Sequence, residues 1–114
     1  MSSVLNSIKK LLGVDVSNNA FDTDITIFTN SGLSRVKDLG AGKDGVRIYI
    51  VDNTTEWTDL FDDDEILQMI QDLVYLTVKL VFDTPGTSFG IKAIEDEILK
   101  KEWLITAKVE EGVV

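Results

Sequence analysis

Residues 62–83 form the longest apolar-rich run of the chain. An acidic start, Asp62-Asp63-Asp64-Glu65, leads into Ile66-Leu67-Gln68-Met69-Ile70 and continues to Phe82-Asp83. Thr84-Pro85-Gly86 then stops it. At about 100° per residue its apolar positions cover about 200° of a helix surface. Gln68, Asp72, Tyr75 and Lys79 fall in the remaining wet stripe. The pattern predicts one long helix that serves as the axis of a small bundle. A first, short helix is predicted from Val4, Leu5, Ile8, Leu11 and Leu12, with Ser2 or Ser3 as cap and Gly13 as stop. A second runs from about Asp22 to Leu39, with Phe21, Ile25, Phe28, Gly32, Val36 and Leu39 recurring every three or four residues. Gly32 falls in the middle of that apolar face, where it costs helix propensity, so a neighbouring helix is expected to approach closely there. A closing helix begins after Pro85-Gly86, capped by Thr87 or Ser88.

Between the second and third helices the period changes. Gly40 to Gly45 is a flexible connector. Val46, Ile48 and Ile50 then alternate with Arg47, Tyr49 and Val51, which predicts a strand. Asp52-Asn53 signals a turn, and Thr54 to Trp57 is read as a short returning strand. The expected fold is mainly α: a small four-helix bundle-like domain over residues 1–106, with a long loop and β-hairpin insertion between the second and third helices. Residues 107–114 read as a C-terminal tail.

Composition narrows the function. The chain has 114 residues, enough for one domain and one core. Its formal net charge of −9 argues against a general nucleic-acid-binding surface, which needs Lys and Arg. The chain contains neither Cys nor His, so disulfides, thiol nucleophiles, Cys/His zinc sites and the usual general base are all missing. Nothing singles out a carboxylate pair for catalysis, and no enzyme, cofactor or metal is expected. Asp59 to Glu65 is acidic enough to suggest a cation site, but acidic residues at a helix start are routine. Gly40-Ala41-Gly42-Lys43-Asp44-Gly45 lacks the order and the Ser/Thr of a phosphate loop. The apolar stretch at 66–82 is shorter than the about 20 residues of a membrane span and holds Asp72 and Lys79, so a soluble, intracellular protein with no membrane partner is expected.

The aromatic residues carry more. On the closing helix Phe89, Leu99 and Trp103 fall on a different side from Ile91, Ile94, Ile98 and Ile105. Two apolar stripes on one helix require two packing partners, either within the chain or on another subunit.

With the elements in this order the chain resembles the small head–tail connector, or adaptor, proteins of tailed bacteriophages. The resemblance spans residues 4–106. It is carried by Phe21-Asp22-Thr23-Asp24-Ile25, Val36-Lys37-Asp38-Leu39-Gly40 and Thr54-Thr55-Glu56-Trp57-Thr58-Asp59. Tyr75 to Pro85, Ser88-Phe89 and Glu102-Trp103-Leu104 complete it. The resemblance implies a structural protein that forms a ring, typically of twelve copies, beneath the portal. Such a ring extends the DNA channel without specific DNA binding and offers a platform to a stopper or tail-completion protein. It implies assembly in the host cytoplasm, then residence at the virion neck. Subunit or partner contacts are expected at Arg47, Tyr49, Trp57, Phe89, Leu99 and Trp103. The stripe Gln68, Asp72, Tyr75 and Lys79 is expected to face the channel or a neighbour. Portal contacts are expected from Ile105, Val109, Val113 and Val114. The other reading of so acidic a chain is a small protein-binding module, a DNA-mimic inhibitor or a prophage regulator.

Overall fold

The computed structural model describes residues 3–62 and 65–111. Its axis is the helix α4, Leu67–Phe82, which buries Leu67, Ile70, Leu73, Val74 and Val78. Helix α2, Asp22–Asp38, packs along it and buries Ile25, Thr29, Gly32, Leu33 and Val36. The contact is closest at Gly32. A β-carbon there would lie 3.1 Å from Val74 Cα and 3.2 Å from Val74 Cγ1, so only a hydrogen lets the backbones approach this far. Phe21, at the start of α2, meets Phe82, at the end of α4, edge to face at 5.5 Å, and the two helices run antiparallel. Helix α5, Ser88–Glu110, packs on another side of α4. Helix α1, Val4–Leu11, packs on α2 and touches α4.

The expected capping residues act at two of the four main helices. The Ser3 hydroxyl accepts from Asn6 N in α1, and the Thr87 hydroxyl accepts from Gly90 N in α5. Helix α4 differs: it begins at Leu67, after Ile66, with no side-chain cap. Asp63 and Asp64 lie outside the described residues. Glu65 turns to α5, 3.4 Å from Lys108 Nζ.

The insertion between α2 and α4 is not a hairpin. From Arg47 to Val51 the expected alternation holds, with Ile48 and Ile50 buried and Arg47, Tyr49 and Val51 outward, whereas Val46, expected inward, is exposed. No strand pairs with them, because a side chain takes that place. The Asn30 amide donates to the Ile50 carbonyl at 2.9 Å, and the Ile50 N–H donates to Asn30 Oδ1 at 2.7 Å. One carboxamide thus supplies the donor and the acceptor that a partner strand would give. The predicted return strand is diverted too. Thr55 and Glu56 meet the start of α1, through an isolated antiparallel bridge between Ser3 and Glu56 and the bond from Val4 N to the Thr55 carbonyl. Trp57–Leu60 then winds into a single turn, α3. A capping box sets it: the Glu56 N–H donates to Asp59 Oδ2 at 2.8 Å, and the Glu56 side chain accepts in return.

Helix α5 continues through residues 107–110, which their composition marks as tail. What holds them is Gly40, at φ +100°, where a β-carbon would stand 2.9 Å from Val109 Cγ1. Below α1, Lys9 is a buried cation. Its Nζ lies 2.7 Å from Asp22 Oδ1 and donates to the Val16 carbonyl at 2.9 Å, which ties the loop between α1 and α2 to both helices.

Gly32→Ala gains helix propensity of about 1 kcal/mol, but overpacking against the Val74 backbone costs about 1–3 kcal/mol. The net outcome is a lower midpoint in urea unfolding, and Gly32→Leu prevents α2 from docking. Asn30→Ala loses two hydrogen bonds to Ile50, about 1 kcal/mol each. Native-state hydrogen exchange reads this as lost protection of the Ile50 amide while the α4 amides keep theirs.

Candidate assembly surfaces

Helix α5 has 23 residues, yet only Ile98 and Ile105 are fully buried. Ile91 and Ile94 are half-buried on the same side, facing the bundle. The opposite side carries Phe89, 84% exposed, Leu99, 62%, and Trp103, 69%. The long helix therefore shows both stripes read from the sequence, and the described chain covers one of them. Large apolar side chains this exposed and aligned make this side of α5 a candidate contact surface.

A second exposed set lies at the other end of the α5 axis. The Arg47 guanidinium sits over the Tyr49 ring, 5.4 Å from its centroid, and Tyr49 and Val46 are exposed beside it. Arg47 also lines an open groove of about 400 Å³ together with Lys37, Lys43 and the backbone of Gly40, Gly42 and Gly45. Lys43 holds this loop in place: its N–H donates to the Leu60 carbonyl and its ammonium to the Thr58 carbonyl.

Other residues singled out from the sequence are occupied inside the chain. Trp57 is 1% exposed; its indole N–H donates to Ser7 Oγ at 3.2 Å and its ring lies 6.5 Å from Phe61. It is a core residue here, brought in by the α3 turn. Ile105 is buried under α5, and Val109 packs on Gly40. Val113 and Val114 lie outside the described residues. The polar stripe of α4 is partly used by α5. Asp72 lies 3.7 Å from Lys101 and accepts from Gln68, Lys79 pairs with Asp83, and Tyr75 packs half-buried against the core.

The cross-link between α4 and α5 was present in the sequence as a spacing. Glu65 and Asp72 are seven residues apart, as are Lys101 and Lys108. Antiparallel packing pairs the first of one helix with the last of the other, Glu65 with Lys108 and Asp72 with Lys101. Among the described residues no three His, Cys, Asp or Glu side chains cluster as a metal site would, and no helix is long and apolar enough to cross a membrane.

The family model described as phage connector protein matches residues 4–112, nearly the whole chain. The chain belongs to this family. No curated protein and no solved structure matches it. The connector family is a structural one, in keeping with a fold whose distinctive surfaces are apolar and charged patches.

The turn that follows the exposed arm of this connector is held by Asp52. Its carboxylate accepts from the Thr54 hydroxyl at 2.6 Å and from the Thr54 N–H at 2.9 Å, and these two bonds lower its pKa below the ordinary carboxylate value. A lowered folded-state pKa means the contribution is complete above the ordinary value and is lost as pH falls through the lowered one. Protection of the Thr54 amide is therefore expected to hold at neutral and mildly acid pH and to disappear in stronger acid. Asp52→Asn removes that pH dependence, read by following the Thr54 amide in an NMR titration.

Proposed function

We propose that this connector is the subunit of a ring that docks beneath the portal at the virion neck and extends the DNA channel. The observation that carries this reading is the α5 stripe of Phe89, Leu99 and Trp103, which no described element of the chain covers. A ring needs heterologous contacts, in which two different patches meet head to tail. The α5 stripe and the Arg47–Tyr49 arm are two such patches, made by different elements. The net charge of −9 suits a channel wall past which DNA slides without being gripped. In this arrangement the C-terminal end of α5 is directed to the portal, and the 40–58 segment serves neighbours or the stopper protein. Subunits accumulate in the host cytoplasm and join the particle as the head is completed.

Sedimentation of the chain alone and with its portal tests this. The wild-type chain is expected to form rings, on its own or once the portal is present. Leu99→Ser with Trp103→Ser is expected to abolish ring formation while leaving the melting temperature unchanged, because both side chains are exposed. A wild-type chain that stays monomeric with the portal overturns the proposal.

A further inference from the structure

The chain has few free cations, and they are not scattered. Lys9, Arg35, Lys79, Lys92, Lys101 and Lys108 are all ion-paired. That leaves Lys10, Lys37, Lys43, Arg47 and Lys100 with no carboxylate partner among the described residues. Lys37, Lys43 and Arg47, three of these five, line the glycine-walled groove beside Tyr49 and Val46, where Asp44 is the one acid; the Lys43 ammonium is bonded to the Thr58 carbonyl, so Lys37 and Arg47 are the cations left open to a partner. In a chain of net charge −9, two copies repel each other at most approaches. This groove is where a second copy meets opposite charge.

The surface that fits it is on α5. Glu95, Asp96 and Glu97 are consecutive and exposed between Phe89 and Leu99; Asp96 points outward, Glu97 lies on one flank, and Glu95 lies on the other, where it lines a hollow with Arg35 and Leu80. Asp96 is paired with Lys92, whereas Glu95 and Glu97 have no basic partner among the described residues. Lys100 is the one free cation on that arc. The two surfaces cannot meet within one molecule. Val109 of α5 touches Gly40 at the rim of the groove, and Glu95 to Glu97 lie 12–14 residues back along the same straight helix, roughly 20 Å away.

The geometry points to a head-to-tail contact in which the Lys37/Lys43/Arg47 groove of one copy receives the Glu95–Glu97 turn of α5 from a second copy. Around this polar centre, Val46 and Tyr49 of the first copy pack against the Phe89 and Leu99 stripe of the second. The contact deepens the ring reading and rests on it. It assigns the basic groove to a protein carboxylate rather than to a nucleic-acid phosphate.

A charge swap tests it. Lys37→Glu with Arg47→Glu is expected to weaken self-association about tenfold or more, and Glu95→Lys with Glu97→Lys to do the same. All four substitutions together are expected to restore much of it, with melting curves confirming that each variant is folded. Wild-type association is expected to fall with added salt, because the centre of the contact is ionic. An independent arm uses the absence of cysteine in the natural chain. Mixed Tyr49→Cys and Leu99→Cys chains are expected to form a disulfide-linked heterodimer that neither forms alone. Wild-type rings that survive both reversals, reversals that the fourfold variant does not rescue, or cysteine links within each variant alone overturn this contact and leave the ring reading standing. So does a Lys37→Glu, Arg47→Glu variant that assembles normally and loses only its affinity for duplex DNA. A wild-type chain that never associates overturns both.

Discussion

The approach of α2 to α4 at Gly32 sets the rest of the structure. With only a hydrogen on Gly32, the two backbones come close enough for Ile25, Leu33 and Val36 to interlock with Ile70, Leu73 and Val74 in one dry layer. Everything else is added to that pair. Helix α1 rides on α2, α5 lies on α4, and the 40–60 segment runs back along α2 from its end, past Asn30, to the start of α1. A side chain at Gly32 would push the pair apart along its whole length, because packed helices shift as rigid bodies and not residue by residue.

Much of this was legible in the sequence, for identifiable reasons. Helical periodicity located the four main helices, since each must bury one stripe. Gly32 stood out because a glycine in an apolar face has no local rationale. The two-sided character of the closing helix was visible in the offset between Phe89/Leu99/Trp103 and the isoleucines. The errors came where side chains did work that pattern reading assigns to backbone. Alternation correctly separated inward from outward residues from Arg47 to Val51, though not at the exposed Val46, and it reports burial, not what pairs with the strand edge. The partner was Asn30, 20 residues earlier and on a helix. Trp57 looked like a surface aromatic because the segment before it read as a strand. The capping box between Glu56 and Asp59 was there to be seen, and it turns the same residue inward.

Charge shows a similar division. The overall acidity said only that the chain would not hold nucleic acid broadly. The arrangement of the few cations is the informative part, and it needs the fold. Four of the eleven, Lys9, Arg35, Lys101 and Lys108, are consumed by pairs that join different elements of the fold. The Glu65–Lys108 and Asp72–Lys101 pairs are half-exposed and contribute little stability each. Their shared seven-residue spacing instead fixes the register of α5 on α4, and with it which side of α5 is left facing outward.

The Asn30 carboxamide has a consequence for how this protein can vary. A strand in a ladder is fixed at every second residue, so an insertion shifts all that follows and turns each side chain to the wrong face. The 46–51 arm takes one pair of hydrogen bonds from a helix, at Ile50, and is otherwise seated by the buried Ile48 side chain against Gly42. The outward residues Arg47, Tyr49 and Val51 can be exchanged without disturbing a ladder, whereas Ile48 and Ile50 are held by burial. The fold thus holds the arm from beneath, by two buried isoleucines and one carboxamide. Its outward face is free to be rewritten for new neighbours while the bundle beneath stays the same.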